Sequence, residues 1–252
     1  MTVVGLSAMS TFGFAGEKAK PIKALIITGD NVGAHDWKGT TQVLRDILAA
    51  QGLCDVDATT SPSKDLTDEN LAKYDVLVLN YKDTPQGSPE SRWSEANKEA
   101  FLKAVKSGKG LVVAHFASAA FTKPNWTEFE KAIAGGWRSQ GFHGPKHAYV
   151  VKMTDVKHPI TAKMPEKFDH AVDELYQNSL LTPDSVVIVT AYSDPSKPRG
   201  TGKDEAVVWV NQYGDGRVCN IGLGHDAVAM GDPHYRSLLR NAVQWTATGK
   251  VE

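Results

Sequence analysis

A doubly wound α/β sheet, mostly parallel and flanked by helices, with antiparallel strands in the second half, is the fold class this sequence predicts. Three observations predict it. Short apolar runs alternate with segments of helical period from residue 22 onward. The runs ALII, VLVL and GLVV are apolar at consecutive positions, the pattern of strands covered by helices on both faces. Near the end of the chain two strand-like runs flank Gly214-Asp215-Gly216, a strong hairpin signal.

Each element follows in order. Residues 22–28 (IKALIIT) read as the first strand, and residues 37–52 place Val43, Ile47 and Leu48 on one helical face before stopping at Gly52. CDVDATT and YDVLVLNY are the next strands, SEANKEAFLKAVKSG is a helix closed by Gly108, and GLVVAH is a further strand. In the second half HAYVVKM and SVVIVTAY read as strands, and AVVWVNQYGDGRVCNIGLG as the hairpin. Residues 232–249 form the closing helix, with an acidic cap candidate, Pro in the first turn and Gly at the end. The polar stretch 193–205 is an exposed loop. No repeat or long linker divides the chain, so residues 21–252 are expected to form a single domain.

Residues 1–20 are set apart from that domain. The first sixteen carry no charge and resemble the apolar core of a secretory signal ending in a small-x-small site at Gly13-Phe14-Ala15, without a basic start. They read as a signal peptide or a disordered tail. If residues 1–15 are a signal remnant, the protein is periplasmic or secreted; otherwise it is cytoplasmic. The apolar stretch is too short for a membrane span.

Composition narrows the partners. A formal net charge of -1 and a pI near 6.7 disfavour nucleic acid and anionic membranes, which select for clustered Lys and Arg. A small, neutral or mildly charged ligand fits better. Cys54 and Cys219 stand far apart with no CxxC, which argues against a thiolate metal site or a disulfide framework and for two buried thiols.

The chemistry concentrates where strands end. Ligands of open α/β sheets bind beyond the carboxyl ends of the strands. His35-Asp36 follows the first strand, His115 ends GLVVA, and His225-Asp226 follows NIGLG. Three imidazoles far apart in sequence can therefore converge on one crevice. GFHGPKH adds His143 and His147, and AVDELYQ adds Asp173-Glu174. Histidine serves acid-base work near neutrality and is the commonest metal ligand, and a carboxylate can orient it or complete a coordination sphere. The candidate catalytic residues are His115, His225 and Glu174. Candidate ligands for one divalent ion such as zinc are His35, His115, His143 and His225. Trp37, Trp126, Trp137 and Tyr176 are candidate stacking surfaces for a small ligand.

Blander readings compete with each of these. His115 can be a hydrogen-bonded core residue, and Asp36 a helix cap. His158, His170 and His234 read as structural or surface residues. Asp173-Glu174 can be solvated charges, and the large aromatics can be core. There is no HExxH, GxSxG, Walker A or GxGxxG pattern.

From Pro21 to Thr248 the chain resembles the ThuA-like family, named for trehalose utilisation. The resemblance is carried by GDNVGAHDW, YDVLVLNY, GKGLVVAHFASAAF, GGW, HPIT, DELYQ, YGDGRVCNIGLGHD and HYRSLLRNAVQW, in that order. It implies a fold similar to class I glutamine amidotransferases and to flavodoxin. The strand ending at His115 then resembles the one that leads to the amidotransferase nucleophile, where the working enzyme has Cys. Imidazole cannot form the glutamyl thioester, so glutamine hydrolysis is not expected. The resemblance implies instead carbohydrate catabolism beside oxidoreductases that make 3-keto disaccharides. Isomerisation, elimination or hydrolysis of a keto-glycoside would follow, by acid-base or metal-assisted chemistry. A non-catalytic carbohydrate-binding protein and a metal-dependent hydrolase of another substrate are the alternatives, and a homo-oligomer is compatible with each.

Overall fold

The computed structural model describes residues 20–30, 32–83, 92–122 and 125–252. The leader expectation falls on residues 1–19, outside the described residues. The strands in chain order are β1 (Ile22–Ile27), β2 (Cys54–Thr59), β3 (Val76–Leu79), β4 (Gly110–Ala114), β5 (Gly135–Gly136), β6 (His147–Met153), β7 (Lys167–Asp173), β8 (Leu180–Leu181), β9 (Val186–Tyr192), β10 (Asp204–Tyr213) and β11 (Gly216–Ile221). The helices are α1 (Trp37–Ala49), α2 (Pro62–Asp65), α3 (Asp68–Leu71), α4 (Glu95–Lys106), α5 (Thr127–Ala132), α6 (Ala227–Met230) and α7 (Pro233–Thr248).

Nine strands form one sheet in the order β2-β1-β3-β4-β11-β10-β9-β6-β7, and β5 pairs with β8 separately. From β2 to β11 every pair is parallel; from β11 to β7 every pair is antiparallel. The parallel half has the 2-1-3-4-5 order of flavodoxin-like sheets, with β11 as its fifth strand.

The apolar runs explain the layers. In β1, β3 and β4 alternate residues face opposite helical layers. Ala24, Ile26, Val76, Val78 and Val112 share a core with Leu44, Ile47 and Leu48 of α1 and Leu238, Leu239 and Val243 of α7. Leu25, Ile27, Leu77, Leu79, Leu111 and Val113 pack with Phe101 and Val105 of α4 and Phe129 of α5. Burial on both faces is why these strands carry no polar alternation. By contrast β6 and β7 alternate buried and exposed residues, as half-covered antiparallel strands do.

The helix termini obey local rules. Asp36 accepts from the Gly39 N–H at 3.0 Å and caps α1. Ser94 and Asn97 form a capping box on α4. Asp232 caps α7, Pro233 occupies its first turn, and Gly249 closes it with φ +79°. The hairpin turns between β10 and β11 as expected. Strand β7 was not expected, because KFDHAVD turns His170 and Asp173 inward where a strand pattern calls for apolar side chains. No helix among the described residues is long and apolar enough to cross a membrane.

Candidate active site

Three of the site's side chains stand at the carboxyl ends of parallel strands. His35 lies in the turn between β1 and α1, with its N–H bonded to Val32 O at 2.7 Å. His115 ends β4 and opens a tight 3-10 turn, His115–Ala119, with φ +42°. That left-handed conformation is uncommon for a non-glycine residue and costs on the order of 1–3 kcal/mol, a strain characteristic of functional sites. His225 follows β11 through Gly224, whose φ of +93° and close approach to the Tyr235 ring leave no room for a Cβ. The fourth member, Glu174, follows β7 from the far edge of the sheet.

One carboxylate holds that edge against the centre. Asp173, fully buried, accepts the Gly224 N–H at 2.7 Å and the His225 N–H at 3.0 Å, and also the Glu174 N–H at 2.8 Å. Its Oδ2 lies 2.9 Å from Nε2 of His170, itself buried. Burial pushes the Asp173 carboxyl up, but the His170 contact, the His115 charge and the Gly224 N–H outweigh burial and bring it below its ordinary value. Asp173 therefore fixes the backbones of both Glu174 and His225 without facing the crevice.

His35, His115, Glu174 and His225 each offer a ligand atom, and these atoms all lie within 4.8 Å of one another. Nδ1 of His115 donates to Gly222 O at 2.7 Å, a bond that makes Nε2 the acceptor nitrogen of the neutral ring. That Nε2 lies 3.4 Å from Glu174 Oε2, and His225 Nδ1 lies 3.0 Å from the same oxygen. Neither approach is aligned as a hydrogen bond: His115 Nε2, His225 Nδ1 and His35 Nδ1 are buried without a hydrogen-bond partner. The ring centroids of His35 and His225 are 4.6 Å apart, and those of His35 and His115 5.3 Å. His35 stacks on Phe116.

Electrostatics set a neutral His35 and an ionised Glu174 side by side. Burial, then the charges of His115 and His225, depress His35 to about 3, so it is neutral at physiological pH. Burial opposes ionisation of Glu174, but contacts with His115 and His225 hold it well below the usual carboxylate range. The Glu174 carboxylate in turn raises His225. Imidazole nitrogens beside one carboxylate are a donor set that suits zinc and similar divalent ions.

A family model described as ThuA, trehalose utilisation, matches residues 23–246. The chain belongs to the ThuA family. A ThuA-like protein from Parabacteroides merdae is 33% identical, with a TM-score of 0.79 and 92% of each chain covered. Another from Bacteroides uniformis is 22% identical with a TM-score of 0.73, covering 94% of this chain and 98% of its own. A cold-adapted β-galactosidase from Rahnella sp. R3 shares the fold alone, at 13% identity and a TM-score of 0.55, over 87% of this chain and 30% of that one. No curated protein sequence matches the chain.

Around the four central residues of this ThuA domain the other sequence candidates divide. Tyr176 is buried with its ring 4.2 Å from that of His115, and Trp137 lies 4.4 Å from Tyr176. His143 stands at the rim, its Nδ1 bonded to Gly144 O at 2.9 Å and 3.6 Å from Glu174 Oε1. Trp37 begins α1, two residues beyond His35, and Lys38 reaches over its ring at 5.5 Å. The ring contacts of Trp126 among the described residues run to Trp93, Phe101, Phe121 and Phe129, in the core beside α4 and α5. Sequence reasoning gave no role to Asp173 as an anchor or to His170 behind it. A larger cavity of about 870 Å³, lined by residues such as Lys152, His158 and Glu166, contains none of these candidates.

Proposed function

We propose that this ThuA protein is an enzyme of carbohydrate catabolism that acts on a keto-sugar or keto-glycoside, with a divalent metal ion held by His35, His115, His225 and Glu174. The observation that carries the reading is the convergence of three partnerless imidazole nitrogens and one ionised carboxylate on a common point. Without an ion, those buried nitrogens would each cost about 1–3 kcal/mol of unmet hydrogen bonding. The Gly222 carbonyl that fixes the His115 tautomer is the kind of outer contact that metal-binding histidines use. The family's description, trehalose utilisation, supports the carbohydrate part.

The reaction class follows from ketone chemistry. A ketone acidifies its neighbouring C–H; the proton passes to a base and the electron pair moves onto the ketone oxygen as an enediolate. In a 3-keto glycoside the glycosidic oxygen on C1 is β to the ketone, so the pair released at C2 can expel it. Reprotonation instead gives isomerisation. A divalent ion supplies Lewis-acid stabilisation for the developing oxyanion. Glu174 is too weakly basic to take the proton while it stays charged beside two imidazoles. His143, half-exposed at the rim and outside the four-residue group, is the base best placed to exchange protons with solvent. Tyr176 and Trp137 supply the apolar wall against which a sugar ring can lie.

The test is metal content by plasma mass spectrometry on tag-free protein, wild type against His115→Ala, with turnover of 3-keto disaccharides measured alongside. About one equivalent of ion in the wild type, lost in the variant together with turnover, is expected. Full turnover by metal-free protein, insensitive to chelators, would overturn the metal assignment. Absence of turnover in the metal-loaded protein would overturn the keto-sugar reading.

A further inference from the structure

The segment 142–147 borders the histidine centre and is held at both of its ends. Phe142 pairs with Gln177 through two backbone bonds, its N–H to Gln177 O at 3.1 Å and the Gln177 N–H to its own carbonyl at 2.8 Å. Gly144 then lies so close to the 193–205 loop that a Cβ would stand 2.5 Å from Pro198 O. From these anchors the segment brings His143 to Glu174 and, three residues on, Lys146 to Asp226, the residue that follows His225. The Lys146 Nζ is 2.8 Å from Asp226 Oδ2, across 80 residues of sequence. His143, Glu174, His225, Asp226 and Lys146 thus form a closed ring of neighbours at the mouth of the centre.

The Lys146–Asp226 pair has more hydrogen-bonding capacity than the protein uses. An ammonium has three donors, and among the described residues Lys146 spends one of them, on Asp226. Asp226 uses Oδ1 to cap α6 through the Val228 and Ala229 N–H groups, each at 3.0 Å, which leaves Oδ2 with Lys146 and room for a second donor. The two side chains are 44% and 28% exposed, so a ligand at the mouth can reach both. An ion pair this exposed adds little to folding stability. Each partner favours the charge of the other. The Asp226 contact raises Lys146 above its ordinary value, with Glu174 and Asp173 adding to it; burial opposes ionisation of Asp226, and the Lys146 contact outweighs burial. A charge-matched pair with spare donors and a spare acceptor suits a hydroxyl, which accepts and donates at once, better than an anion, which the carboxylate repels.

We propose that Lys146 and Asp226 together bind the C4 hydroxyl of the sugar ring, Lys146 Nζ donating to its oxygen and Asp226 Oδ2 accepting its proton. The proposal rests on the keto-sugar reading of the histidine centre. With the C3 oxygen at that centre and C2–H facing His143, C4 is the other neighbour of the ketone, and its hydroxyl falls toward the Lys146 end of the segment. Holding that hydroxyl decides the chemistry, because C–H bonds on both sides of a ketone are acidified and only loss of the C2 proton can expel the oxygen on C1. The pair therefore makes Lys146 and Asp226 specificity-determining residues that present C2, and not C4, to the base.

The experiment compares methyl 3-keto-glucoside with its 4-deoxy analogue in metal-loaded wild type and Lys146→Met, a change that removes the donors and keeps an unbranched side chain. Metal content should be unchanged and Tm within about 2 °C, since the lost ion pair is exposed. For the hydroxylated sugar KM should rise roughly tenfold or more, the worth of one hydrogen bond to a charged donor. For the 4-deoxy sugar the two proteins should agree within about twofold. An equal rise with both sugars, or no rise with either, would overturn the hydroxyl contact while leaving the keto-sugar reading intact. If neither protein turns over a keto-sugar, that reading fails by itself, and calorimetric titration with methyl glucoside and its 4-deoxy analogue decides the pair. Affinity lost in Lys146→Met for the hydroxylated sugar alone supports the contact, and equal binding by the two proteins, or none, overturns it.

Discussion

Replacing Asp173 by Asn isolates the role of the carboxylate that ties the sheet edge to the strand ends. The side chain accepts five donors: the Glu174 and His225 N–H groups on Oδ1, and His170 Nε2, the Gly224 N–H and, at 3.4 Å, the Tyr149 hydroxyl on Oδ2. An amide keeps one accepting oxygen and turns an NH2 toward the other set of donors. If the oxygen stays with Glu174 and His225, the NH2 faces His170, Gly224 and Tyr149, whose hydroxyl keeps Glu174 O as an acceptor at 3.3 Å. His170 can switch tautomer and accept, its other nitrogen then donating to Asp232, whose Oδ2 stands 3.5 Å away. The Gly224 N–H has no such escape. One bond to a charged acceptor is lost in that best case and two if His170 does not switch, at about 1.5–3 kcal/mol each, so the cost is roughly 1.5–6 kcal/mol. For a chain of this length that lowers Tm by on the order of 10 °C. Because the freed N–H adjoins His225, the variant should also bind the metal ion proposed for that site roughly 10–100-fold more weakly, as loss of an outer contact does. Thermal unfolding by circular dichroism and metal titration of the refolded apo-protein read the two effects. A Tm within about 2 °C of wild type, with metal affinity unchanged, would refute the anchor assigned to Asp173.

Two further outcomes follow from the same geometry. Asp83 is buried, which raises its carboxyl above the ordinary 3.8 despite the Phe121 N–H at 2.6 Å. The folded state therefore holds the proton longer than the unfolded one, and stability is lost as pH rises from 3.8 through the folded pKa. Asp83→Asn keeps an acceptor for Phe121 and removes that penalty, so urea unfolding should show the variant gaining on wild type across this window and holding the gain at neutral pH; a pH-independent difference would contradict it. Gly224→Ala would place a Cβ 2.6 Å from the Tyr235 ring at a φ of +93°. It should cost about 1–3 kcal/mol in chemical unfolding and weaken metal binding through His225, and a variant as stable as wild type would show that the loop relaxes freely.

The parallel half of the sheet was legible because its signals are local and strong. The runs around Leu25, Val78 and Val112 are buried on both faces, and Ser94, Asp232 and Gly249 carry the caps and stop that frame α4 and α7. The positions of His35, His115 and His225 were legible for a topological reason: each follows a strand whose carboxyl end must open on the same side of a parallel sheet. Strand β7 escaped notice because the residues that make it important break its pattern. His170 and Asp173 occupy inward positions, and they are tolerable there only because they meet each other, Asp232 and the Gly224 loop across more than fifty residues of sequence. That long-range pairing has no signature in local periodicity. Trp126 and Trp137 looked equivalent as sequence, yet one fills the aromatic core under α4 while the other borders Tyr176. Composition cannot separate a core indole from a wall indole; only the two glycines before Trp137, which admit close backbone contacts with Leu180 and Ser118, hinted at the difference.

The distribution of unfavourable features across the molecule bears on why His115 stands where it does. A left-handed backbone, a buried imidazole with one nitrogen unmet, and a buried carboxylate meet within a few ångströms. Any one of these, relaxed toward ordinary geometry, would stabilise the fold. They persist because the surroundings over-determine them: Gly222 O fixes the ring, Arg138 clamps the turn through Ser118 O, and Asp173 holds Glu174 from behind. Each of these braces comes from a different part of the chain, so the strain at His115 cannot relax by a local adjustment. A merely structural histidine at a strand end would need only its one bond to Gly222. The additional bracing is what the proposed site would need, because it holds the inward nitrogens apart and aimed at a common point.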